Sequence, residues 1–413
     1  MPDASATIQL PDASHLRIDA ITDDIFRLRL SPDGAWPAAA MNRYGFIDHP
    51  AEAPSAEFDK ADGRLEVTTS KGKLVIDTDP FAVALVDTEG HELLHSDTSL
   101  PWLSGEGFQA AFTLADDEKI YGLGDSSRKR LQHRGHRYDM WVTNVKSYIP
   151  VPLVFGTRGA AVLVNTTWRH TIDLGQAQAD RWSVHGRGGR LDLYLTIAPT
   201  AIEAIERHTL LTGRPPLPPK YSFGMWYIMH TQADAFKLMD DALKFRDRKL
   251  PCDVLGVEPG WMETFYDLST DKKWDYDKFP LPRWAMTGKH TFQAALKRMG
   301  YRFEQWMVCD YDLSFEAERR VTRTGSGDPG AEPEGGAKKS GPVFYEGDTE
   351  MDHRLAEPIS MDKITKPEEP FFEHLKQFVD QGADFFKQDG GMGVCEHPDR
   401  LWGNGMTDLE MHR

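Results

Sequence analysis

A proline-rich stretch divides this sequence into two halves that differ in periodicity. The run Pro215-Pro216-Leu217-Pro218-Pro219 is stiff and cannot continue a sheet, because proline lacks a backbone donor. Short apolar segments punctuated by Gly and Asp precede it, and segments that alternate between strand and helix periodicity follow it. The stretch therefore predicts a domain boundary, with one domain over residues 1–214 and a second over residues 215–413.

The first domain is predicted to be a β-sandwich. Many short strands separated by turn residues are typical of that architecture. A helix over residues 201–211 closes the domain. The predicted strands lie at residues 16–30 (broken at Asp23-Asp24), 65–67, 73–76, 82–86, 160–165, 170–174, 181–185 and 190–197.

The second domain alternates strands with helices, which predicts parallel βαβ units. An insertion at about residues 313–367 contains several glycines, and it is either a lid over the C-terminal face or a disordered segment. The predicted strands are 221–228, 253–257, 303–309 and 383–388, and the predicted helices are 233–249, 291–299 and 368–381.

Composition excludes several classes of function. The net charge of -16 argues against nucleic-acid and anionic-membrane surfaces, because both require basic patches. No apolar run approaches the length of a membrane span, and we expect no secretory leader. Cys252, Cys309 and Cys395 lack metal-ligand spacing, so we expect reduced thiols in a cytoplasmic protein with no cofactor or metal. The sequence leaves open whether the chain forms a homo-oligomer.

The last predicted strand ends in a carboxylate, Asp389, followed by Gly390-Gly391. Lys387 lies on the same side of the pleat, because side chains repeat every second residue. Strand ends at the C-terminal face of a β/α barrel carry the chemistry, which makes Asp389 a catalytic candidate. The alternative is an aspartate that caps the following loop.

Two other patterns are assigned no chemistry. The glycines of Gly122-x-Gly124 and Gly186-x-Gly188-Gly189 do not open a helix after a strand, so no nucleotide site is predicted. His133 and His136 have no metal-ligating partners nearby in the sequence and are interpreted as surface loop histidines.

From residue 121 onward the chain resembles glycoside hydrolase family 31, the α-glucosidase and α-xylosidase family. The order and spacing of the matching residues carry the resemblance. They are Tyr121-Gly122-Leu123-Gly124, Trp141, Pro218-Pro219, Ser222-Phe223-Gly224-Met225-Trp226, Phe245-Arg246, Pro251-Cys252-Asp253-Val254, Trp261-Met262, Trp274, Phe279-Pro280 and Phe386-Lys387-Gln388-Asp389.

The resemblance implies a galactose-mutarotase-like sandwich followed by the first half of a (β/α)8 TIM barrel. It also implies a retaining α-glycosidase acting on a carbohydrate substrate. Asp389 corresponds to the nucleophile of that family, and Lys387 would favour its ionised form. The residues that the resemblance assigns to the substrate are Glu258, Trp261, Trp306, Lys387, Trp226 and Asn144.

Several positions depart from the family pattern. Met392 stands where a glutamate is frequent, and Glu258 stands where strand two commonly ends in aspartate. Cys309-Asp310-Tyr311-Asp312 replaces an Asn-Pro-type turn, and Asn144 replaces a frequent aspartate. The sugar contacts are therefore altered, and lyase or transglycosylase activity stays open beside hydrolysis.

The sequence ends at Arg413, where the family continues into four more barrel strands and its acid/base aspartate. We therefore expect a truncated product or a fragment, with little or no hydrolysis by the 413-residue chain. In an active chain, Asp310, Asp312 or Glu263 would have to supply the acid. The alternatives are an inactive carbohydrate-binding protein and a subunit whose partner chain completes the barrel.

Overall fold

The computed structural model describes residues 4–43, 45–125, 129–141, 149–230, 233–265, 272–280, 291–308 and 371–389. The chain forms two compact units, of which the first runs to Pro215 and the second begins at Pro216. The insertion predicted at residues 313–367 lies outside the described residues.

The first unit is built almost entirely from antiparallel strands. Their lengths are short, and turn residues separate them, as the sequence pattern indicated. Numbered in chain order they are β1 (Ser5–Gln9), β2 (His15–Thr22), β3 (Ile25–Ser31), β4 (Glu57–Ala61), β5 (Arg64–Thr69), β6 (Gly72–Thr78), β7 (Phe81–Asp87), β8 (Glu92–His95), β9 (Leu103–Ser104), β10 (Phe108–Thr113), β11 (Ile120–Asp125), β12 (His136–Met140), β13 (Ile149–Gly156), β14 (Ala160–Val164), β15 (His170–Leu174), β16 (Arg181–Gly186) and β17 (Asp192–Ile197).

These strands form three sheets that share one apolar core. A seven-stranded sheet has the order β1-β2-β3-β17-β14-β13-β11, and two five-stranded sheets have the orders β12-β15-β16-β10-β9 and β4-β5-β6-β7-β8. Leu28, Leu74 and Phe112, one from each sheet, belong to the same buried cluster. Burial alternates along β5 and β16, as expected for strands with one face on a core. The predicted β-sandwich is confirmed.

Two helices accompany the sheets, α1 (Ala40–Arg43) and α2 (Ala201–Thr212). Thr200 caps α2 by accepting a hydrogen bond from the Glu203 backbone N–H, and the Glu203 carboxylate accepts one from the Thr200 N–H in return. Ala204 and Leu211 are buried in a second apolar cluster. The helix predicted over residues 201–211 is confirmed.

The glycines at positions 122 and 124 serve strand packing. A Cβ at Gly122 would lie 2.1 Å from the Leu153 carbonyl oxygen, and one at Gly124 would lie 2.2 Å from that of Ile149. Both residues have positive φ and lie where the register of β11 against β13 shifts. Only glycine fits at these two positions. Strand packing therefore explains the glycine motif, and no phosphate site is needed to account for it.

The interpretation of His133 and His136 as surface loop residues is wrong. His133 is buried, and its Nδ1 lies 2.7 Å from the Tyr138 hydroxyl. Burial lowers the pKa of the His133 imidazole below its usual value. His136 begins β12 and pairs with Leu174. Both histidines therefore belong to the sandwich.

Strands alternate with helices in the described residues of the second unit. In chain order the elements are β18 (Trp226–Met229), α3 (Ala235–Asp247), β19 (Val254–Val257), α4 (Thr291–Arg298), β20 (Arg302–Val308), α5 (Phe371–Gln381) and β21 (Phe385–Asp389). The strands form a parallel sheet of order β18-β19-β20-β21. The helices α3, α4 and α5 connect successive strands, as the predicted βαβ units require.

The strand predicted over residues 221–228 is wrong in its first part. Residues Lys220–Phe223 form a 3₁₀ turn in which the Gly224 N–H donates to the Tyr221 carbonyl. The strand itself spans Trp226–Met229. The extended backbone of Pro219 leads into this turn, so the chain curls before it enters the sheet.

One face of the parallel sheet packs against the helices. Leu255 and Phe303 from the strands are buried in one cluster with Leu238, Leu296 and Phe378 from α3, α4 and α5. This packing fixes which face of each strand is covered by helices. Because side chains alternate along a strand, the residues between the packed ones point to the opposite face.

Candidate active site

The carboxyl ends of the four parallel strands lie at one edge of the sheet. Asp389 is the last residue of β21, and its backbone pairs with Val308 at the end of β20. Glu258 follows β19 directly, and its N–H donates to the Met229 carbonyl. The backbone places Asp389 at the end of a parallel strand, as the sequence predicts, while its side chain lies outside what the structure describes. The strand is less buried than its apolar sequence suggests, since Phe385 and Phe386 are half-buried and Lys387 is exposed.

The sheet curls strongly. The ring centroids of Trp226 on β18 and Phe385 on β21 lie 4.9 Å apart. Neighbouring strands are about 4.8 Å apart, so the first and fourth strands of a flat sheet would be separated by about 14 Å. Contact between their side chains therefore requires curvature of the kind found in a barrel wall, and it places both rings on the concave face.

Lys387 and Glu258 meet on this concave face. The Lys387 Nζ lies 2.8 Å from Glu258 Oε1, although β20 separates the two strands. In the register of the sheet, Lys387 is paired with Trp306. The Lys387 ammonium is exposed and the Glu258 carboxylate is mostly covered. The pair offers a hydrogen-bond donor and an acceptor next to the strand end that carries Asp389.

The analysis of the sequence missed a third charged group, Glu304 on β20. Its side chain is 1% exposed, and neither carboxylate oxygen has a hydrogen-bond partner among the residues that the structure describes. The space for it comes from Gly256, where a Cβ would lie 2.1 Å from Glu304 Oε2. The signal that could have identified it is a charged residue inside a strand, between the apolar Phe303 and Trp306, together with a glycine on the next strand.

The environment of Glu304 favours the neutral acid. Burial raises the pKa of its carboxyl to about 7, and the negative charge of Glu258 adds to the rise, while the Lys387 ammonium opposes it. Glu304, Glu258 and Lys387 are therefore electrostatically coupled, and the proton on Glu304 keeps the cluster from carrying two close negative charges.

Trp261 and Trp306 are both core residues in the described part of the chain. Trp261 is fully buried against Trp274 and Phe378, with ring centroids 4.8 Å and 5.2 Å away. Its Nε1–H donates to the Trp306 carbonyl at 2.9 Å. Trp306 is 2% exposed. Their predicted contacts with a sugar stay predictions, as does that of Trp226, which is 41% exposed.

Other residues singled out in the sequence divide into two groups. Glu263, a candidate acid, is exposed, and its N–H donates to the Lys273 carbonyl. Asn144, Asp310, Asp312 and Met392 lie outside the described residues.

Within the described ranges, no three histidine, cysteine or acidic side chains come together as metal ligands. No described helix is long and apolar enough to span a membrane, and the predicted cytoplasmic location stays a prediction.

The fold alone does not define a function, and sequence comparison identifies the family. Residues 15–173 match the glycosyl hydrolase 31 N-terminal galactose mutarotase-like domain, and residues 215–400 match the glycosyl hydrolases family 31 TIM-barrel domain. The chain belongs to glycoside hydrolase family 31.

Individual proteins are similar to part of the chain. It is 24% identical over 282 residues to alpha-glucosidase 2 of Bacillus thermoamyloliquefaciens, covering 65% of this chain and 35% of that protein. It is 30% identical over 175 residues to the alpha-xylosidase XylQ of Lactiplantibacillus pentosus, covering 40% of this chain and 22% of that protein. The matched region thus spans about a third or less of each relative.

A solved structure supports the fold. A family 31 dextranase of Flavobacterium johnsoniae, complexed with glucose, matches with a TM-score of 0.76 at 17% identity, covering 99% of this chain and 50% of that one. At 17% identity, this similarity supports the fold and carries no conclusion about function.

Proposed function

We propose that this chain carries the nucleophile of a retaining α-glycosidase, with Asp389 in that role and α-linked glucosides, xylosides or related sugars as substrates. The observation that carries the proposal is the position of Asp389. It ends a parallel strand, two residues beyond a lysine that is ion-paired across the concave face of the sheet. Relatives that are an alpha-glucosidase and an alpha-xylosidase support the substrate class.

The reaction has two displacements. The Asp389 carboxylate attacks C1 of the sugar while the bond from C1 to the leaving oxygen breaks, which gives a covalent glycosyl-enzyme. A second carboxyl group, about 5 Å away in such enzymes, protonates the leaving oxygen and later removes a proton from the attacking water. Water then displaces Asp389 with overall retention of configuration.

Lys387 and Glu258 have a binding role in this proposal. An ammonium that donates and a carboxylate that accepts can each hold a sugar hydroxyl, and such charge-assisted hydrogen bonds are the stronger kind. The Lys387 cation also favours the ionised form of a neighbouring carboxylate, which a nucleophile requires. Below about pH 7 the Glu304 carboxyl holds its proton and leaves the lysine available to its partners on the concave face.

A fluorinated α-glycosyl fluoride tests the proposal on the 413-residue chain. Fluoride leaves without being protonated, so attack by Asp389 needs no acid catalyst, and the ring fluorine slows the second step. We expect about one equivalent of fluoride per chain from the wild type and none from Asp389→Asn. Asp380→Asn, which changes an exposed carboxylate on α5, is the matched control and should release the same amount as the wild type.

Absence of fluoride release from a folded wild-type chain, or equal release by Asp389→Asn, would overturn the proposal. Running glucosyl and xylosyl reagents side by side then assigns the sugar, because the faster of the two identifies the preferred ring. Circular dichroism of each variant establishes that the chain is folded.

A further inference from the structure

Glu304 is a buried acid that takes no step in the proposed reaction. Its side chain is 1% exposed, and neither of its oxygens has a hydrogen-bond partner among the described residues. A carboxyl group in this state costs stability, because burial removes its contacts with water and nothing replaces them. An apolar side chain of similar volume would avoid that cost, so space-filling alone does not explain the residue.

The Glu304 carboxyl group lies next to that of Glu258. Glu304 pairs with Gly256 in the register of β19 and β20, and its Oε2 lies over Gly256, where a Cβ would come within 2.1 Å. Glu258 is two residues further along the chain, and its side chain is therefore on the same face of the sheet. About 7 Å of strand separates the two positions. Two carboxylates at such a distance repel each other where water is excluded.

Lys387 reaches the same place from the other side of β20. Its Nζ lies 2.8 Å from Glu258 Oε1, so the lysine side chain crosses the strand that carries Glu304. One ammonium group thus lies close to two carboxyl groups, and only one of the two accepts its hydrogen bond in this structure.

The other described charged groups on the elements that adjoin β20 have their own partners or are exposed. Arg302 at the start of β20 pairs with Asp384, Lys376 pairs with Asp380 on α5, and Lys297 and Arg298 of α4 are exposed. The charge balance around Glu304 therefore depends on Glu258 and Lys387, with Asp389 at the end of β21.

The proton on Glu304 determines how this cluster is paired. Burial raises the pKa of the carboxyl to about 7, the charge of Glu258 adds to the rise, and Lys387 opposes it. With the proton in place, the ammonium has one anionic partner, Glu258, as in this structure. Without it the ammonium has two, and a lysine with two acceptors divides its hydrogen bonds between them.

We propose that Glu304 is a positioning residue that selects the partner of Lys387. The neutral acid leaves the lysine on Glu258, at the carboxyl ends of the strands. The ionised acid draws it toward Gly256 and away from those ends. The effect on catalysis rests on the function proposed above for Asp389 and Lys387, since the attack on the sugar should be faster while Glu304 is neutral. The movement of the lysine does not rest on it.

The ε-carbon signal of Lys387 tests the movement without any substrate. It is observed in the 413-residue chain labelled with ε-¹³C-lysine and assigned with Lys387→Met. A lysine ordinarily titrates near about pH 10, so a step in its signal near pH 7 reports the ionisation of a neighbour. We expect that step in the wild type and none in Glu304→Gln, whose amide cannot ionise.

Two control variants exclude other sources of the step. His230→Gln removes the exposed histidine that follows β18, and the step should remain. Asp380→Asn, at an exposed position on α5, should also leave the step unchanged. A residue that only fills space would give no step at all, so this signature separates positioning from packing.

The pH dependence of fluoride release measures the consequence for the reaction. The wild-type rate should fall about 10-fold between about pH 6 and about pH 8.5, the effect of weakening one hydrogen bond to a charged group. Glu304→Gln should keep a constant rate over this range. Equal pH dependence in the two chains would overturn the proposed effect of Glu304 on the reaction.

A folded wild-type chain without a Lys387 step near pH 7, or the same step in Glu304→Gln, would overturn the positioning role itself. A step that requires Glu304, in a chain that releases no fluoride at any pH, would support the positioning role and refute the function proposed for Asp389. If Glu304→Gln fails to fold, Glu258→Gln decides. Removing that neighbouring charge should move the step to lower pH, and an unmoved step would count against Glu304.

Discussion

Lys387 on β21 and Glu258 after β19 form an ion pair with 2.8 Å between Nζ and Oε1, with the whole of β20 between their strands. The two strands are about 10 Å apart, a distance that a lysine and a glutamate side chain can bridge on one face of the sheet. The contact between the Trp226 and Phe385 rings shows that this face is the concave one. The ion pair therefore places two hydrogen-bonding charges on the concave face, beside the strand end of Asp389.

Replacing Lys387 by Met should slow fluoride release by about 10- to 100-fold, the usual effect of losing a hydrogen bond to a charged group. The free energy of unfolding should fall by about 1–3 kcal/mol, because the mostly covered Glu258 carboxylate loses its cationic partner. Lys376→Met, an exposed lysine on α5, is the matched control. An unchanged rate in Lys387→Met would remove the lysine from the site.

Glu304 should make stability depend on pH. Its folded-state pKa of about 7 lies above the usual value of 4.5, so between these pH values the folded chain holds a proton that the unfolded chain has lost. The stabilising contribution is complete below about pH 4.5, and it is lost as pH rises through 7. The full effect is about 3 kcal/mol.

The variant Glu304→Gln isolates this contribution, because the amide cannot ionise. Denaturant unfolding should give similar stabilities for the wild type and the variant at pH 5 and a more stable variant at pH 8. Glu263→Gln, at an exposed position, should follow the wild type at both pH values. Parallel pH curves for the wild type and Glu304→Gln would contradict a buried, proton-holding Glu304.

Gly256→Ala should destabilise the second unit by about 1–3 kcal/mol, because the new methyl group would overlap Glu304 Oε2 and approach Ile228 Cδ1 within 2.7 Å. Removing the carboxylate should relieve part of this cost. The double variant Gly256→Ala/Glu304→Ala should therefore be more stable than the sum of its single changes predicts. Strict additivity would mean that the two side chains do not compete for space.

Trp261→Phe should lower the free energy of unfolding by about 1–3 kcal/mol, because it leaves the Trp306 carbonyl without its indole donor and opens space in the core. Thermal unfolding measures this effect. If Trp261 only supports the fold, the folded fraction of Trp261→Phe should release fluoride at the wild-type rate. Trp226→Phe, at a half-exposed ring on the concave face, should leave stability nearly unchanged and is the comparison variant.

Local patterns were sufficient to predict the architecture. Residues close together in the sequence determine the proline run, the short strands before it and the strand–helix alternation after it. The strands after the proline run pair in parallel, as the alternation predicts. The first part of the segment 221–228 was misassigned because its apolar residues suit a 3₁₀ turn as well as a strand. Periodicity alone cannot separate the two.

The site was less predictable, for a physical reason. Asp389 follows from a strand that ends in a carboxylate, but the Lys387–Glu258 pair depends on the order and register of the strands in the sheet, which no local pattern encodes. Glu304 is accommodated by Gly256 on the neighbouring strand, so its burial is a tertiary property. The same holds for His133, whose position depends on packing against Tyr138.

The central claim is that Asp389 is the nucleophile, and the most direct measurement is mass-spectrometric mapping of the peptide labelled by a fluorinated α-glycosyl fluoride. Our account predicts one added glycosyl group, located on the peptide that contains Phe386-Lys387-Gln388-Asp389 and absent from Asp389→Asn. A label on a different carboxylate, such as Glu258 or Glu304, would contradict it.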